Sequence, residues 1–404
     1  MRVALVSRFA WPHLGGTEVL VRTAANGLAV KHDVEVFAHR VDDAGTAWRG
    51  PLDRSEPFGP LQDPASGVRI SQLRMTRGDL VALAPFLAVP RRGAGKIGLL
   101  RRPSAAVEPW HARVAGRRFA RTLDGADVIH RFGGNRMALA TVRAARLNGR
   151  PVAVTPLAHP GQWDDDPISA RAYREADLVV ATGDADADTY SGLGVAADRL
   201  RVCPLPTRAP SRGGGERLRD QGTVSGPLIL FLGVRRAHKG IDALLGAASI
   251  LHEQEPAAQV AFVGPGPALP ASAPANAMDV GEVDDETRDA WLDAASIVCL
   301  PSSNESWGLA ISEAWSVGAP VVTSDIPILR RRVQEVGGGL AVPPRPRELA
   351  AALLALLRDD TRRREMGRAG QEHYERALSE TAFAAWHEEA YRRLLERAPA
   401  TTGG

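Results

Sequence analysis

Residues Arg2–His39 read RVALVSRFAWPHLGGTEVLVRTAANGLAVKHDVEVFAH, and three segments within them decide the fold class. RVALVS (Arg2–Ser7) is a short apolar run rich in β-formers. TEVLVRTAANGLAVK (Thr17–Lys31) places its apolar residues at helical spacing, with Thr17 positioned to cap the helix N-terminus. DVEVFAH (Asp33–His39) is a second strand. Strand, helix, strand in that order predicts a βαβ unit, and so a parallel sheet with a right-handed crossover.

The pattern continues outward. ADVIH (126–130), PVAVTP (151–156), ADLVVAT (176–182) and RLRVCP (199–204) read as further strands, each followed by a loop or helix. TRAPSRGGGERLRDQGTVSG (Thr207–Gly226) then breaks it, rich in Gly, Arg and Ser with no apolar period, and reads as an inter-domain linker. Beyond it the alternation restarts: LILFLG (228–233), a helix over Ile241–Gln254, AQVAFVG (258–264), a helix over Asp285–Ala295, SIVCLP (296–301), a helix over Ala310–Val317 and PVVTS (320–324). Arg347–Leu395 reads as two or three helices. The expected architecture is α/β, with two Rossmann-like domains facing a cleft and helices at the C-terminus. Its boundaries are 1–206, a linker over 207–226, a second domain over 227–380, and a last segment, 381–404, whose helix crosses back to the first domain. In such sheets ligands bind beyond the carboxyl ends of the strands.

Composition narrows the function classes. The chain has 404 residues, 44% hydrophobic and 24% charged, which is ordinary for a soluble protein of about two domains. A formal net charge of only +3 argues against a polybasic nucleic-acid binder. Cys203 and Cys299 lie far apart in apolar contexts, without metal-ligand or CxxC spacing, so a reduced, cytoplasmic setting is expected. The N-terminus lacks signal-peptide organisation, and no apolar stretch reaches the 18 residues of a membrane span. Arg91–Arg121 is cationic with interspersed Leu, Ile and Trp110. It reads either as a solvated basic loop and helix or as a surface for an acceptor or for peripheral contact with an anionic membrane.

Chemistry-bearing residues fall on the loops after strands. HLGGTE follows the first strand, and its paired Gly15 and Gly16 allow a backbone to approach a ligand beside a helix N-terminus. FLGVRRAHKG opens the second half, with Arg235, Arg236 and Lys239 ahead of a helix starting near Gly240; Lys31, Lys96 and Lys239 are the only lysines of the chain. Planar Arg forks and a Lys point charge near a helix N-terminus suit a diphosphate. FVGPGPAL (262–269) contains GxG, but Pro265 and Pro267 remove donors that a phosphate needs, so it reads as a plain loop. NESWGLAISEAW (304–315) places Glu305 in a loop, Trp307, Gly308 and Leu309 at the entry to a helix, and Glu313 one turn in. A loop carboxylate there can accept from sugar hydroxyls, the unpaired N–H groups can hold a diphosphate, and the second carboxylate can accept from a ribose diol.

NESWGLAISEAWSVGAPVVTSD resembles the E-x7-E signature of the family 4 retaining glycosyltransferases, which have the two-domain GT-B fold. The HLGGTE loop, FLG with HKGIDALLGA, VGPGP, VGEVDDETRDAWLDAASIVCLPS and GGGLAVPP follow in the family's order, and together cover nearly the whole second half and the first 40 residues. Residues 45–125 match nothing in it. The resemblance implies that domain 1–206 binds the acceptor and domain 227–380 the nucleotide-sugar. The resemblance implies that Gly16 lies against the donor diphosphate, Lys239 binds phosphate, Glu305 contacts the donor sugar beside the amides of Trp307, Gly308 and Leu309, Glu313 holds the ribose, and the backbone of Gly281–Val283 meets the nucleobase. The family commonly has Arg directly after the Gly of its GR…KG segment; here Val234 stands there, with Arg235 or Arg236 as the shifted substitute. Many members place a His near the reacting sugar; His130 and His159 are the candidates, and Phe132 occupies one of that residue's common positions.

The implied reaction moves a sugar from a nucleotide-diphosphate donor, UDP by family preference, to an acceptor hydroxyl on a sugar, lipid-linked compound or secondary metabolite, without a cofactor or bound metal. WDDDPIS (163–169) reads as a polar turn in preference to a Mg²⁺ site. Other readings of the paired carboxylates are a glycoside hydrolase, which leaves the phosphate-type loops unexplained, a GT-B-fold sugar-nucleotide epimerase, and a catalytically silent nucleotide-sugar-binding protein.

Overall fold

The computed structural model describes residues 1–10, 16–40, 61–63, 66–73, 104–158, 164–305 and 307–397. Gly15, His159, Ser306 and the stretch 91–103 of the basic segment lie outside them. The chain divides into two compact units, Met1–Pro206 with Phe383–Gly404, and Thr207–Ala382.

The first unit holds an eight-stranded sheet. Its elements run β1 (Arg2–Phe9), α1 (Gly16–Ala29), β2 (Asp33–Arg40), β3 (Leu61–Gln62), β4 (Arg69–Gln72), α2 (Ser104–Thr122), β5 (Val128–Phe132), α3 (Asn135–Leu147), β6 (Val152–Thr155), α4 (Pro167–Glu175), β7 (Leu178–Ala181), α5 (Asp184–Gly192) and β8 (Leu200–Val202). The strand order is β3-β4-β2-β1-β5-β6-β7-β8, with only the β3–β4 pair antiparallel. Side chains alternate across a strand, so β1 sends Ala4 and Val6 into the core on one face and Val3 and Leu5 into the core on the other. Both faces are covered, which is why β1 reads as a continuous apolar run.

The second unit repeats the plan with α6 (Gly214–Asp220), β9 (Leu228–Leu232), α7 (Ile241–Gln254), β10 (Gln259–Val263), β11 (Ala277–Gly281), α8 (Asp285–Ala294), β12 (Ile297–Leu300), α9 (Leu309–Ser316), β13 (Val321–Ser324), α10 (Pro327–Val336), β14 (Gly339–Val342), α11 (Pro346–Arg358) and α12 (Asp360–His373). Its six strands are all parallel, in the order β11-β10-β9-β12-β13-β14. Numbered from β9 this is the 3-2-1-4-5-6 order of a dinucleotide-type sheet, which reverses direction between β9 and β12. In β9, Leu228, Leu230 and Leu232 face the core under α8, α9 and α10, whereas Ile229 and Phe231 face that under α7 and α11.

One segment departs from the sequence reading. Residues 207–226 are not a free linker: they belong to the second unit and contain α6, which packs on α8. A Cβ on Gly214 would lie 2.6 Å from Ala290 Cβ, and one on Gly215 would lie 2.7 Å from Ala294 N, so these glycines serve close helix packing. Arg208 and Arg212 fasten the same segment to Asp289 and Asp293. At the other end, α13 (Glu380–Arg397) returns to the first unit, where Phe383, Tyr391 and Leu394 share a core with Leu5, Val36 and Phe132.

Candidate functional site

The reversal of strand order leaves the loops after β9 and β12 side by side, and they are locked together. The β9 loop ends in a 3₁₀ turn, Ala237–Lys239, followed by Gly240 at φ 73°. Gly240 packs so tightly that a Cβ there would come within 2.2 Å of Pro301 O. Ser303 N–H donates to His238 O at 2.8 Å. This contact sets Lys239 Nζ 2.6 Å from Glu305 Oε1, with side chains 22% and 10% exposed. Ser302 Oγ donates to the same carboxylate oxygen at 2.9 Å. The pair is therefore anchored and has solvent access on one side.

The next loop over is structural. Gly264 N–H donates to Gly281 O at 2.7 Å, and Arg235 N–H to Pro265 O at 2.8 Å. Gly264 and Gly266 lie at φ 133° and 145°; a Cβ on the first would meet Gly233 O at 2.2 Å and one on the second Arg235 Cβ at 2.6 Å. The GPG stretch thus lets the β10 loop sit against the β9 loop. Arg235 is buried in this contact, 2.5 Å from Asp279 Oδ1 and with only 5% of its side chain exposed. This corrects its assignment as a donor-binding cation: an Arg whose own side chain is buried in an ion pair is not presented to a ligand. Its neighbour Arg236 is exposed, as is Val234. Gly281, at φ 76°, turns the chain out of β11 toward Val283, which packs on the same core cluster as Trp307.

At α9, Gly308 is the N-cap in the left-handed region, φ 70°, and Leu309, 49% exposed, opens the helix. Glu313 lies one turn in and is paired with Arg288 of α8. Arg288 also approaches Asp289 at 3.7 Å, and the buried Asp289 takes the Arg208 guanidinium and Ser211 N–H. Behind the loop, the Arg332 guanidinium donates to Trp307 O at 2.7 Å, to Gly308 O at 3.0 Å and to Ser312 Oγ. It stacks 4.4 Å over the Trp307 ring and 5.3 Å from that of Trp315. Burial pushes this guanidinium down to about 9.

In the first unit, Gly16 is the first residue of α1. His130 is not available to a substrate, which corrects its assignment as a catalytic residue. It is fully buried, with Nδ1 2.6 Å from Tyr391 Oη and Nε2 2.8 Å from Thr155 Oγ1, and it stacks on Phe132. Burial holds its pKa well below the usual histidine range. Of the acidic run after β6, Asp166 is the N-cap of α4, accepting from Ile168 and Ser169 N–H, and Asp164 accepts from Gly134 N–H at 2.9 Å. The turn's carboxylates are thus engaged in capping, and among the described residues no group of His, Cys, Asp or Glu is placed to hold a metal ion. Asn135, Leu157 and Asp164 all adopt positive φ beside the carboxyl ends of β5 and β6, a concentration of strain at one edge of the sheet.

Sequence reasoning missed Arg332, Arg288 and Asp279. Arg332 had a signal: in α10 the core-facing positions are Leu329, Val333 and, three after the first, Arg332 itself, so this Arg falls on the apolar stripe. Arg288–Glu313 and Arg235–Asp279 join residues 25 and 44 positions apart and have no local signature.

Residues 219–373 match the family described as "Glycosyl transferases group 1". The D-inositol 3-phosphate glycosyltransferase of Thermomonospora curvata is 30% identical over 260 residues, 59% of this chain and 59% of that protein. The phosphatidyl-myo-inositol mannosyltransferase of Mycobacterium leprae is 34% identical over 155 residues, 36% of this chain and 41% of that protein. The chain thus spans less than two thirds of the length of these curated relatives. Among solved structures, Anabaena Alr3699/HepE in complex with UDP superposes with a TM-score of 0.65 at 16% identity, over 97% of this chain and 100% of that one. Sucrose-phosphate synthase from Thermosynechococcus elongatus does so at 0.61 and 21%, over 98% and 99%. With its two Rossmann-like sheets and C-terminal helices, the chain has the fold of these proteins, GT-B.

Proposed function

We propose that this chain is a retaining glycosyltransferase that takes a sugar from a nucleotide-diphosphate donor, a UDP-sugar by preference, and transfers it to an acceptor hydroxyl. The observation that carries this reading is the Lys239–Glu305 pair at the strand-order reversal of the second unit, beside the open N-terminus of α9 with Glu313 one turn in. A dinucleotide-type sheet binds its ligand at that place. Lys239 has three N–H donors, so it can hold Glu305 and still reach a phosphate oxygen. Glu305 then accepts from hydroxyls of the donor sugar, and Glu313 from the ribose, sharing its charge with Arg288. The exposed Arg236 is the second cation of the β9 loop. As the sugar–phosphate bond lengthens, negative charge grows on the diphosphate, where Lys239 and the first N–H groups of α9 stabilise it. The acceptor hydroxyl attacks from the face the diphosphate leaves, its proton passing to the departing phosphate, so configuration is retained and no protein nucleophile or bound metal is needed. The relatives' names direct the acceptor search toward inositol phosphates and phosphatidylinositol. We place the reaction in the cytoplasm, with the basic segment 91–121 available for peripheral contact with an anionic membrane or acceptor.

The test is calorimetric titration of UDP, GDP and ADP without metal on wild type and Glu313→Ala. The expected result is micromolar binding of one nucleotide, weakened at least tenfold in the variant. Binding of none of the three overturns the reading.

A further inference from the structure

Arg332 is a buried cation for which the described residues supply no carboxylate. Its partners are the carbonyls of Trp307 and Gly308, the hydroxyl of Ser312 and two indole faces. Carbonyl and indole partners orient a guanidinium without neutralising it, and a charge taken out of water is costly unless an anion offsets it. The carbonyls it holds belong to the loop between Glu305 and α9. In a trans peptide the C=O and the following N–H point in opposite directions. Drawing Trp307 O toward Arg332 therefore turns Gly308 N–H away from it, and drawing Gly308 O inward does the same to Leu309 N–H. Among the described residues neither N–H has a hydrogen-bond partner, and Leu309 beside them is half exposed. Gly308 cannot easily relax by other means: its φ is 70°, and a Cβ there would lie 2.9 Å from Leu329 Cδ2.

Resting on the donor reading above, we infer that Arg332 is the positioning residue of the donor diphosphate: it sets the two N–H groups that face the phosphates and supplies from behind the loop a positive charge that the diphosphate offsets. The residue touches no substrate. It acts through the peptide groups of Trp307 and Gly308, and its effect is confined to the part of the ligand that carries negative charge.

The experiment compares Arg332→Met and Arg332→Lys with wild type in the full-length chain. Calorimetry measures the affinities of UDP, GDP and ADP and of the matching nucleosides uridine, guanosine and adenosine; the readout is the ratio of diphosphate to nucleoside affinity. A partly unfolded variant changes the apparent stoichiometry and leaves that ratio alone. The expected result is a ratio at least tenfold lower in Arg332→Met and a smaller fall in Arg332→Lys, which keeps the charge but cannot fork across both carbonyls. The melting temperature of ligand-free Arg332→Met is recorded alongside, because removal of a buried charge without a carboxylate is opposed by loss of its bonds to Ser312 and the two carbonyls. An unchanged ratio in Arg332→Met overturns the proposal, whatever happens to the melting temperature. If that variant does not fold, an unchanged ratio in Arg332→Lys overturns it. Wild type that binds none of the three diphosphates defeats the donor reading itself, a result distinct from either.

Discussion

Glu305 and Glu313 differ in what holds them, and their loss should differ accordingly. Glu305 is tied to Lys239, the cation assigned to phosphate. Removing Glu305 frees that cation, so Glu305→Ala should keep nucleotide affinity within about threefold, while transfer falls by about 10–150-fold, the equivalent of one lost charge-assisted hydrogen bond. Glu313 is tied to Arg288, and Glu313→Ala removes the carboxylate from the place where the ribose is to sit and leaves Arg288 only the longer contact with Asp289. Its nucleotide affinity should fall within the same 10–150-fold range. Equal loss of nucleotide affinity in the two variants would contradict this division. His130 belongs to another class. Replacing it with Leu strands Tyr391 Oη and Thr155 Oγ1, both buried, and unpartnered buried hydroxyls cost about 1–3 kcal/mol each. His130→Leu should therefore melt earlier, while turnover per folded molecule is unchanged. Lower turnover at full stability would return His130 to the reaction.

Helix α13 shows how the titration of buried groups controls an element. His130 and His387 stack at 5.4 Å between β5 and α13, facing Tyr391 and, beyond it, Cys203. Burial lowers both imidazoles, His387 to about 4, and the neighbouring His387 lowers His130 further. A folded-state pKa below the unfolded value of 6.5 means that the unfolded chain binds the extra protons. Stability is then full above about pH 6.5 and falls as pH drops toward 4, by roughly 1 kcal/mol per pH unit for each histidine. Glu388 on the outer face, paired with Lys31 and held below the usual carboxylate range, loses its contribution only below the interval from pH 6.5 to 5. His387→Leu, which removes one of the two groups, should flatten the slope of melting temperature against pH between 6.5 and 5; an unaltered slope would place the titrating groups elsewhere. At the same scale, Gly215→Ala should cost about 1–3 kcal/mol of stability, because its Cβ would strike the backbone of α8 at Ala294. The strands were legible because both sheet faces are covered, so that β7, β9 and β12 are buried along their whole length and read as unbroken apolar runs. Helix α6 was not legible, since three consecutive glycines look the same in a flexible linker and in a helix pressed against a neighbour. Lys239, Glu305 and Glu313 could be placed because they follow strands directly. The ion pairs of Arg235 and Arg288 could not, because distant chain segments make them.

At the scale of the whole molecule, the chain crosses between units twice, near residue 206 and near residue 382, and the labour of the proposed reaction follows that division. Lys239, Arg236, Gly281, Trp307, Gly308, Glu313 and Arg332 all lie in the continuous unit, Thr207–Ala382. The other unit is discontinuous: its sheet comes from the first 206 residues, and one of its core faces is closed by a helix from the end of the chain. Deleting residues 383–404 would uncover Leu5, Val36 and Phe132, and take Tyr391 from His130. Burial of each large apolar side chain contributes about 1.5–3 kcal/mol, and a domain's net stability is only about 5–15 kcal/mol, so losing Phe383, Tyr391 and Leu394 together should unfold or loosen the first unit. The second unit loses none of its own core residues. The truncated chain should therefore bind its nucleotide within about twofold of the full-length affinity and still be stabilised by it against heat, in proportion to ligand concentration over Kd. Glycosyl transfer should vanish, because we propose that the acceptor is held by the unit that has come apart. Calorimetry, thermal unfolding followed with and without nucleotide, and a transfer assay separate these effects. Loss of nucleotide affinity on truncation would mean that the donor site draws on the first unit, to which the expected diphosphate contact of Gly16 belongs.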